Sequence, residues 1–314
     1  MSDARDARDQ RTTGEDRTLL ACEECISPAE AFAVVGNETR LEILEALWTV
    51  ERPVSFSDLR REVGMRDSAQ FNYHLSKLTG QFVRKVDDED GGGYEFRQAG
   101  RAVIRSVLAG TLNQDPELDP FDVAGECVDC GGDLQAEYRD EHLRIRCADC
   151  GRPHGAYEFP PGGLEDRTRE EILAAFNQRA RHLACLSKDG VCPECNGRMV
   201  TTVERADGDE RMGLSVKVDY ECTRCHLHTA SSVGLAMLDD AEVVSFYRDH
   251  GIDLNGVPYW TLEWCVTDRH TTVESEDPWR LRVEVSLDDE TLVARLDGDL
   301  AVVDTERRTR EVEA

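Results

Sequence analysis

Over residues 27–112 apolar positions recur at helical spacing in short blocks, each opened by a capping residue and closed by glycine or proline. Ser27-Pro28-Ala29-Glu30 has the form of a capping box with proline at the first helical position. It opens "AEAFAVVG", which ends at Gly36. Asn37 caps a second helix, in which Leu41, Leu44, Leu47 and Trp48 form a stripe expected to face a core, and Pro53 ends it. Ser55 caps a third, short helix, "FSDLRREV", stopped by Gly64. Asp67 with Gln70 has the spacing of another capping box, and the helix it opens runs to Gly80. In that fourth helix Phe71, Leu75 and Leu78 fall at i, i+4 and i+7 and are expected to point inward. The opposite face carries Ala69, Tyr73, Ser76 and Lys77, flanked by Gln70 and Asn72. A strand ("FVRKV"), an acidic, glycine-rich tip (87–93), a second strand ("YEF") and a helix from near Ala99 complete the block.

Beyond it the pattern changes. "NQDPELDP" has two prolines, acidic residues and no apolar face, so 113–124 reads as a linker. Residues 164–186 read as a helix with Ile172, Leu173, Phe176 and Ala180 on one stripe, and 239–251 as a shorter one. The stretches "RLRVEVSL", "TLVARLDG" and "LAVVDTE" alternate as strands do. Residues 1–26 are polar and charged without sustained periodicity, and read as a flexible arm.

Twelve cysteines sharpen this outline, because ten fall in C-x-x-C pairs. Cys127, Cys130, Cys147 and Cys150 have the form C-x2-C-x16-C-x2-C, a zinc spacing. Two intervening residues let both thiolates of a pair reach one ion at about 2.3 Å, and Gly131 and Gly151 supply a permissive backbone after each pair. Cys192, Cys195, Cys222 and Cys225 repeat the form with a longer spacer, in which "RADGDER" suits a hairpin turn. His226 and His228 adjoin the last cysteine, so a Cys3His set is an alternative there. Four thiolates leave no open coordination position, so two structural Zn2+ ions are expected. The 22/25 pair has no partner pair nearby; a metal or redox site shared across a dimer and incidental occurrence both stand. Cys185 and Cys265 are expected as packed apolar residues. The two four-cysteine segments, each followed by a helix, also form a weak internal repeat, explained equally by duplication or by convergent ribbon grammar.

The fold class expected is therefore α+β. A winged helix-turn-helix domain (27–112) precedes a linker (113–124) and a first zinc-ribbon-like β unit (125–163). Residues 164–314 then hold a helix, a second zinc-ribbon-like unit (190–232) and a small α/β C-terminal segment.

Charge sets the setting. The formal net charge is −27, and of 37 basic residues only four are lysine. Acidic residues are spread along a chain with periodic apolar segments, which points to a folded protein from a very salty cytosol rather than to a disordered acidic chain. In molar salt the Debye length is about 3 Å, so long-range repulsion of DNA largely vanishes, and so does most of the counterion-release gain. Binding then rests on close contacts and shape. No apolar run approaches membrane-spanning length and no secretory signal opens the chain, so a soluble, cytoplasmic protein is expected.

"VGNETRLEILEAL", "FSDLRREVGMRDSAQFNYHLSKL" and "YEFRQAGRAV" resemble the ArsR-type winged-helix transcription regulators of haloarchaea, over about 85 residues. The resemblance implies DNA binding as a homodimer and response to a metal or other signal. On that geometry the fourth helix lies in the major groove. Gln70 and Asn72 then suit adenine, Lys77 guanine or phosphate, and Ser68 a phosphate at the helix start, with Tyr73 on the same face. Arg84 and Arg97 flank the wing as phosphate contacts, whereas Asp87, Asp88, Glu89 and Asp90 at its tip repel phosphate. His74 lies beside the apolar stripe and reads as a packed residue. No Walker loop, G-x-G-x-x-G, G-x-S-x-G or H-E-x-x-H is present, so no enzymatic activity is expected. Two functions remain: a sequence-specific regulator binding double-stranded DNA, and a zinc-ribbon protein–protein adaptor of the transcription machinery, which exposed aromatics around the ribbons would favour.

Overall fold

The computed structural model describes residues 26–50, 53–87, 92–206 and 214–309. The Cys22/Cys25 pair, the acidic tip residues Asp88, Glu89 and Asp90, and most of the "RADGDER" turn lie outside the described residues. The chain is mixed α+β, and its contacts divide it into two compact units, one ending at Leu108 and the other beginning at Ala109.

The first unit is mainly helical. Helices α1 (Pro28–Val35), α2 (Glu38–Trp48), α3 (Phe56–Glu62) and α4 (Ser68–Leu78) precede strands β1 (Val83–Val86) and β2 (Gly93–Phe96) and helix α5 (Gln98–Leu108). The capping residues act as their types require. The Ser27 hydroxyl accepts from the Glu30 amide while the Glu30 carboxylate takes the Ser27 amide, a closed capping box. At α4 only half of the expected box forms: the Asp67 carboxylate takes the Ala69 and Gln70 amides, and the Gln70 side chain does not reach back. The hairpin β1–β2 is antiparallel, and Val54 adds a bridge to Tyr94 on its free side. Gly93 makes that approach possible, because a side chain there would strike the Val54 carbonyl.

A single core of Ile43, Leu44, Leu59, Phe71, Leu75, Leu78, Phe82, Val83 and Ile104 holds these elements together. One expected core position moves. Ile43, Leu44, Ala46 and Leu47 are the buried residues of α2, while Leu41 is half-buried and Trp48 exposed, its ring edge-on to Phe96 at 6.2 Å. The stripe drifts because 3.6 residues per turn carries position 48 past the buried arc.

The second unit is built from three antiparallel sheets with helices between them. The first sheet has the order β3 (Leu118–Glu126), β4 (Asp133–Arg139), β5 (His142–Cys147), β6 (Pro153–Glu158). Residues 118–126, expected to complete the linker and begin the first cysteine unit, are therefore an outer strand of this sheet. Phe121 and Val123 are buried between exposed neighbours. Pro120 obscured that alternation in the sequence, and an edge strand tolerates its missing donor. Helix α6 (Arg169–Lys188) follows, opened by a capping box between Thr168 and Glu171, and buries Ile172, Phe176, Ala180 and Ala184. The second sheet is β7 (Met199–Arg205), β8 (Val216–Cys222), β9 (His228–Ser231). Short helices α7 (Val233–Met237), α8 (Ala241–Asp249) and α9 (Glu263–Val266) lead to a four-stranded meander. Its strands are β10 (Thr271–Glu276), β11 (Trp279–Leu287), β12 (Glu290–Asp297) and β13 (Val302–Thr309). Leu281, Val283 and Val285 turn to the core with the period of two read from the sequence.

One continuous core joins all three sheets to α6, with Phe176, Tyr259 and Trp260 at its centre. A buried cation also crosses it. Arg181, 2% exposed, pairs with Asp239 and donates to the Leu254 carbonyl at 2.8 Å. Among the described residues no helix is long and apolar enough to cross a membrane.

Candidate metal centres and nucleic-acid interface

Each C-x-x-C pair sits at a tight turn flanking a strand, and the four turns share one backbone pattern. The amide of the first cysteine donates to the carbonyl five residues on, at 2.8–2.9 Å in all four cases. The carbonyl of the first cysteine accepts from the residue four on: Gly131, Gly151, Asn196 and His226. All four of those residues are left-handed, with φ of 70°, 74°, 55° and 60°. Glycine adopts that conformation freely, whereas asparagine and histidine do so at a cost.

The turns bring the sulfurs together as two groups. Cys127, Cys130, Cys147 and Cys150 form one, and Cys192, Cys195, Cys222 and Cys225 the other, with all ligand atoms in each group within 4.8 Å of one another. Sγ–Sγ distances are 3.7 Å for Cys127–Cys150, 3.5 Å for Cys130–Cys147, 3.6 Å for Cys192–Cys225 and 3.5 Å for Cys195–Cys222. A disulfide requires about 2.05 Å. A metal ion bound tetrahedrally at about 2.3 Å gives a sulfur–sulfur edge of about 3.8 Å, so both groups have the dimensions of a four-thiolate metal site. The expected Cys3His alternative is not what the fold assembles. His226 fills the left-handed turn position with its side chain exposed near Glu221, and His228 Nε2 lies 2.9 Å from Asp219.

The electrostatics also call for a cation. The Cys150 amide draws the Cys147 thiol down to about 7, and the Cys225 amide draws Cys222 down to about 6. At Cys130 the Gly132 amide favours the thiolate, yet the thiols of Cys150 and Cys147 push it up to about 12. The Leu227 amide and the Cys195 thiol oppose each other in the same way at Cys225, again with a result of about 12. Clustered sulfurs thus resist ionising together unless positive charge sits among them.

The first centre has an outer shell that spacing did not disclose. Arg152 and Arg269 both grip Asp129, inside the first turn, the former at 2.6 Å. Arg269 also reaches the Val128 carbonyl and Glu263, holding that carboxyl below its ordinary range, and Arg152 reaches the Val266 carbonyl. His154, 1% exposed, places Nε2 3.4 Å from Cys127 Sγ and Nδ1 3.2 Å from the Trp260 carbonyl, and desolvation lowers its pKa. Such partners orient ligands and tune their basicity. Apart from their place beside the cysteines, nothing in the sequence marked these residues. Of the lone cysteines, Cys265 is buried as expected, whereas Cys185 is half-buried.

In the first unit, α4 separates its two faces as its period requires. Phe71, Leu75 and Leu78 are buried, while Ser68, Gln70, Asn72, Tyr73, Ser76 and Lys77 are exposed. Tyr73 is 55% exposed, with the Lys77 ammonium 5.6 Å from its ring centre. His74 is half-buried, its ring edge-on to Tyr73, and its Nδ1 is buried without a hydrogen-bond partner. Arg84 is exposed but already paired across the hairpin with Glu95, and Arg97 donates to the Gly80 carbonyl. Both arginines are thus less available than the residues of α4.

Residues 124–302, more than half of the chain, match the model of a family described as domain of unknown function (DUF7351), and the chain belongs to that family. Residues 28–107 match a second model, domain of unknown function (DUF7347). The comparison with curated proteins finds no match.

Proposed function

We propose that this family member is a sequence-specific, DNA-binding transcription regulator adapted to high salt. Its first unit acts as a winged helix-turn-helix of the ArsR type, and two structural Zn2+ ions hold two zinc-ribbon-like units in the second. It works in the cytoplasm as a homodimer on double-stranded DNA, without enzymatic activity.

The observation that carries the reading is α4. It follows α3 in the helix-turn-helix order, it is anchored by three buried apolar side chains, and its other face is an uninterrupted exposed row of Gln70, Asn72, Tyr73, Ser76 and Lys77. Asparagine, glutamine and a cation are the side chains suited to base edges and phosphates in the major groove. Zinc is favoured because four thiolates in a closed tetrahedron suit a d10 ion, although iron fits the same geometry. The adaptor reading predicts exposed aromatics near the cysteine units. Among the described residues the exposed aromatics are Phe32, Trp48 and Tyr73, all in the first unit.

The test is footprinting on DNA from the region upstream of the protein's own gene, at multimolar KCl. Gln70→Ala and Lys77→Ala should each weaken the footprint by about 1–3 kcal/mol if they contact bases. Lys77→Ala should weaken all sequences alike if it contacts phosphate. A wild-type protein that shifts no DNA at any salt concentration, while still capturing a protein partner, would replace this reading with the adaptor.

A further inference from the structure

The two cysteine groups share one turn pattern and one sulfur geometry, and each buries two of its four cysteines: Cys127 and Cys147 in the first, Cys192 and Cys222 in the second. They differ in what holds the turns. Those of the first centre are tied to residues far along the chain. Asp129, between the first two cysteines, is clasped by Arg269 and by Arg152, whose carbonyl closes the second turn. Arg269 also donates to the Val128 carbonyl at 2.9 Å, and Arg152 to the Val266 carbonyl at 3.0 Å. His154 connects Cys127 Sγ to the Trp260 carbonyl. Opening these turns therefore means breaking contacts with residues 260–269.

The second centre is held only locally. Among the described residues, the hydrogen bonds and ion pairs of its turns end within residues 190–232. The Thr223 amide and hydroxyl both donate to the Arg198 carbonyl, the Arg224 and Cys225 amides reach Cys222 Sγ, and His226 lies near Glu221. Its turns also carry a steric cost that the first centre avoids. The left-handed corner is Asn196 in one and His226 in the other, where the first centre has Gly131 and Gly151. Partners beyond the ligands matter to retention, because losing one typically weakens metal binding about 10–100-fold.

We infer that the two centres are unequal: the second, at Cys192, Cys195, Cys222 and Cys225, is an exchangeable site that yields its ion to competing ligands, while the first keeps its ion, with Asp129, Arg152 and Arg269 as positioning residues. Metal-competing and thiol-reactive compounds then meet this protein first at residues 192–225. The inference rests on the reading of both groups as zinc sites, and departs from it in making only the first ion permanent. It does not depend on DNA binding.

The test mixes the zinc-loaded full chain, in molar KCl, with excess 4-(2-pyridylazo)resorcinol, which reports released zinc by colour. Samples taken along the time course are trapped with N-ethylmaleimide and mapped by peptide mass spectrometry. Zinc should leave in two phases of one equivalent each, with rates about 10–100-fold apart. The fast phase should coincide with labelling of Cys192, Cys195, Cys222 and Cys225. Asp129→Asn should speed the slow phase roughly tenfold and leave the fast phase unchanged. His226→Gly should slow the fast phase by up to about fivefold and leave the slow phase unchanged. A general loss of stability speeds both phases, so this selectivity separates positioning from a merely structural role. Release of both ions in one phase, first labelling at Cys127, Cys130, Cys147 and Cys150, or an unchanged slow phase in Asp129→Asn overturns the inference alone. A chain that takes up no zinc overturns the metal reading with it.

Discussion

At the residue scale, His226 is the sharpest case of a side chain whose neighbours mislead. It follows Cys225 and is a metal-binding residue type, yet its place is the left-handed corner that glycine fills in the first centre's two turns. Its contribution is a backbone conformation, held at some steric cost. His226→Gly should therefore keep metal content at the wild-type level and raise stability by up to about 1 kcal/mol. Cys225→Ser should lose one metal equivalent per chain. Elemental analysis of the purified variants reads both, and a matching metal loss in His226→Gly would mean that histidine is a ligand.

At the scale of elements, α4 shows how one helix divides a buried apolar face from an exposed polar one. Leu75 is 1% exposed and surrounded by the core of the first unit, whereas Tyr73, two positions away, is mostly in solvent. Leu75→Ala should cost about 2–5 kcal/mol, because it removes buried methyl groups and leaves a cavity. Tyr73→Ala should alter stability by no more than about 0.5 kcal/mol, as expected away from packed features. Chemical denaturation of the two variants separates these expectations, and comparable destabilisation by both would show that the Tyr73 face is packed. The same logic explains the strand at 118–126. Its alternation was present in Phe121 and Val123, but only pairing with β4 turned two apolar residues among prolines and carboxylates into an element.

For the whole molecule, charge is the dominant variable. A net charge of −27 repels itself in dilute buffer, and the many surface arginine–carboxylate pairs offset only part of that. Raising KCl from about 0.1 to 2 M shortens the Debye length from about 10 Å to a few ångströms. The midpoint of thermal unfolding should therefore rise across that range. A midpoint highest at low salt would refute the salt-adapted reading. Chelation of the metals should act on the second unit, where both centres lie, because metal binding free energy is folding free energy for such sites.

What the amino-acid order determined was whatever depends on near neighbours. Helix starts, the buried period of α4 and β11, and the four thiol turns all follow from residues within a few positions of one another, since capping, periodicity and chelate spacing are local geometry. What tertiary structure alone decided was everything that needs distant residues to meet. The arginines that clasp Asp129 come from 23 and 140 positions away, His154 reaches Cys127 across 27, and the cavity of about 330 Å³ lined by β6, β9, α6 and α7 exists only where two sheet edges and two helices leave a gap. A gap between packed surfaces has no sequence period, so no local pattern could announce it.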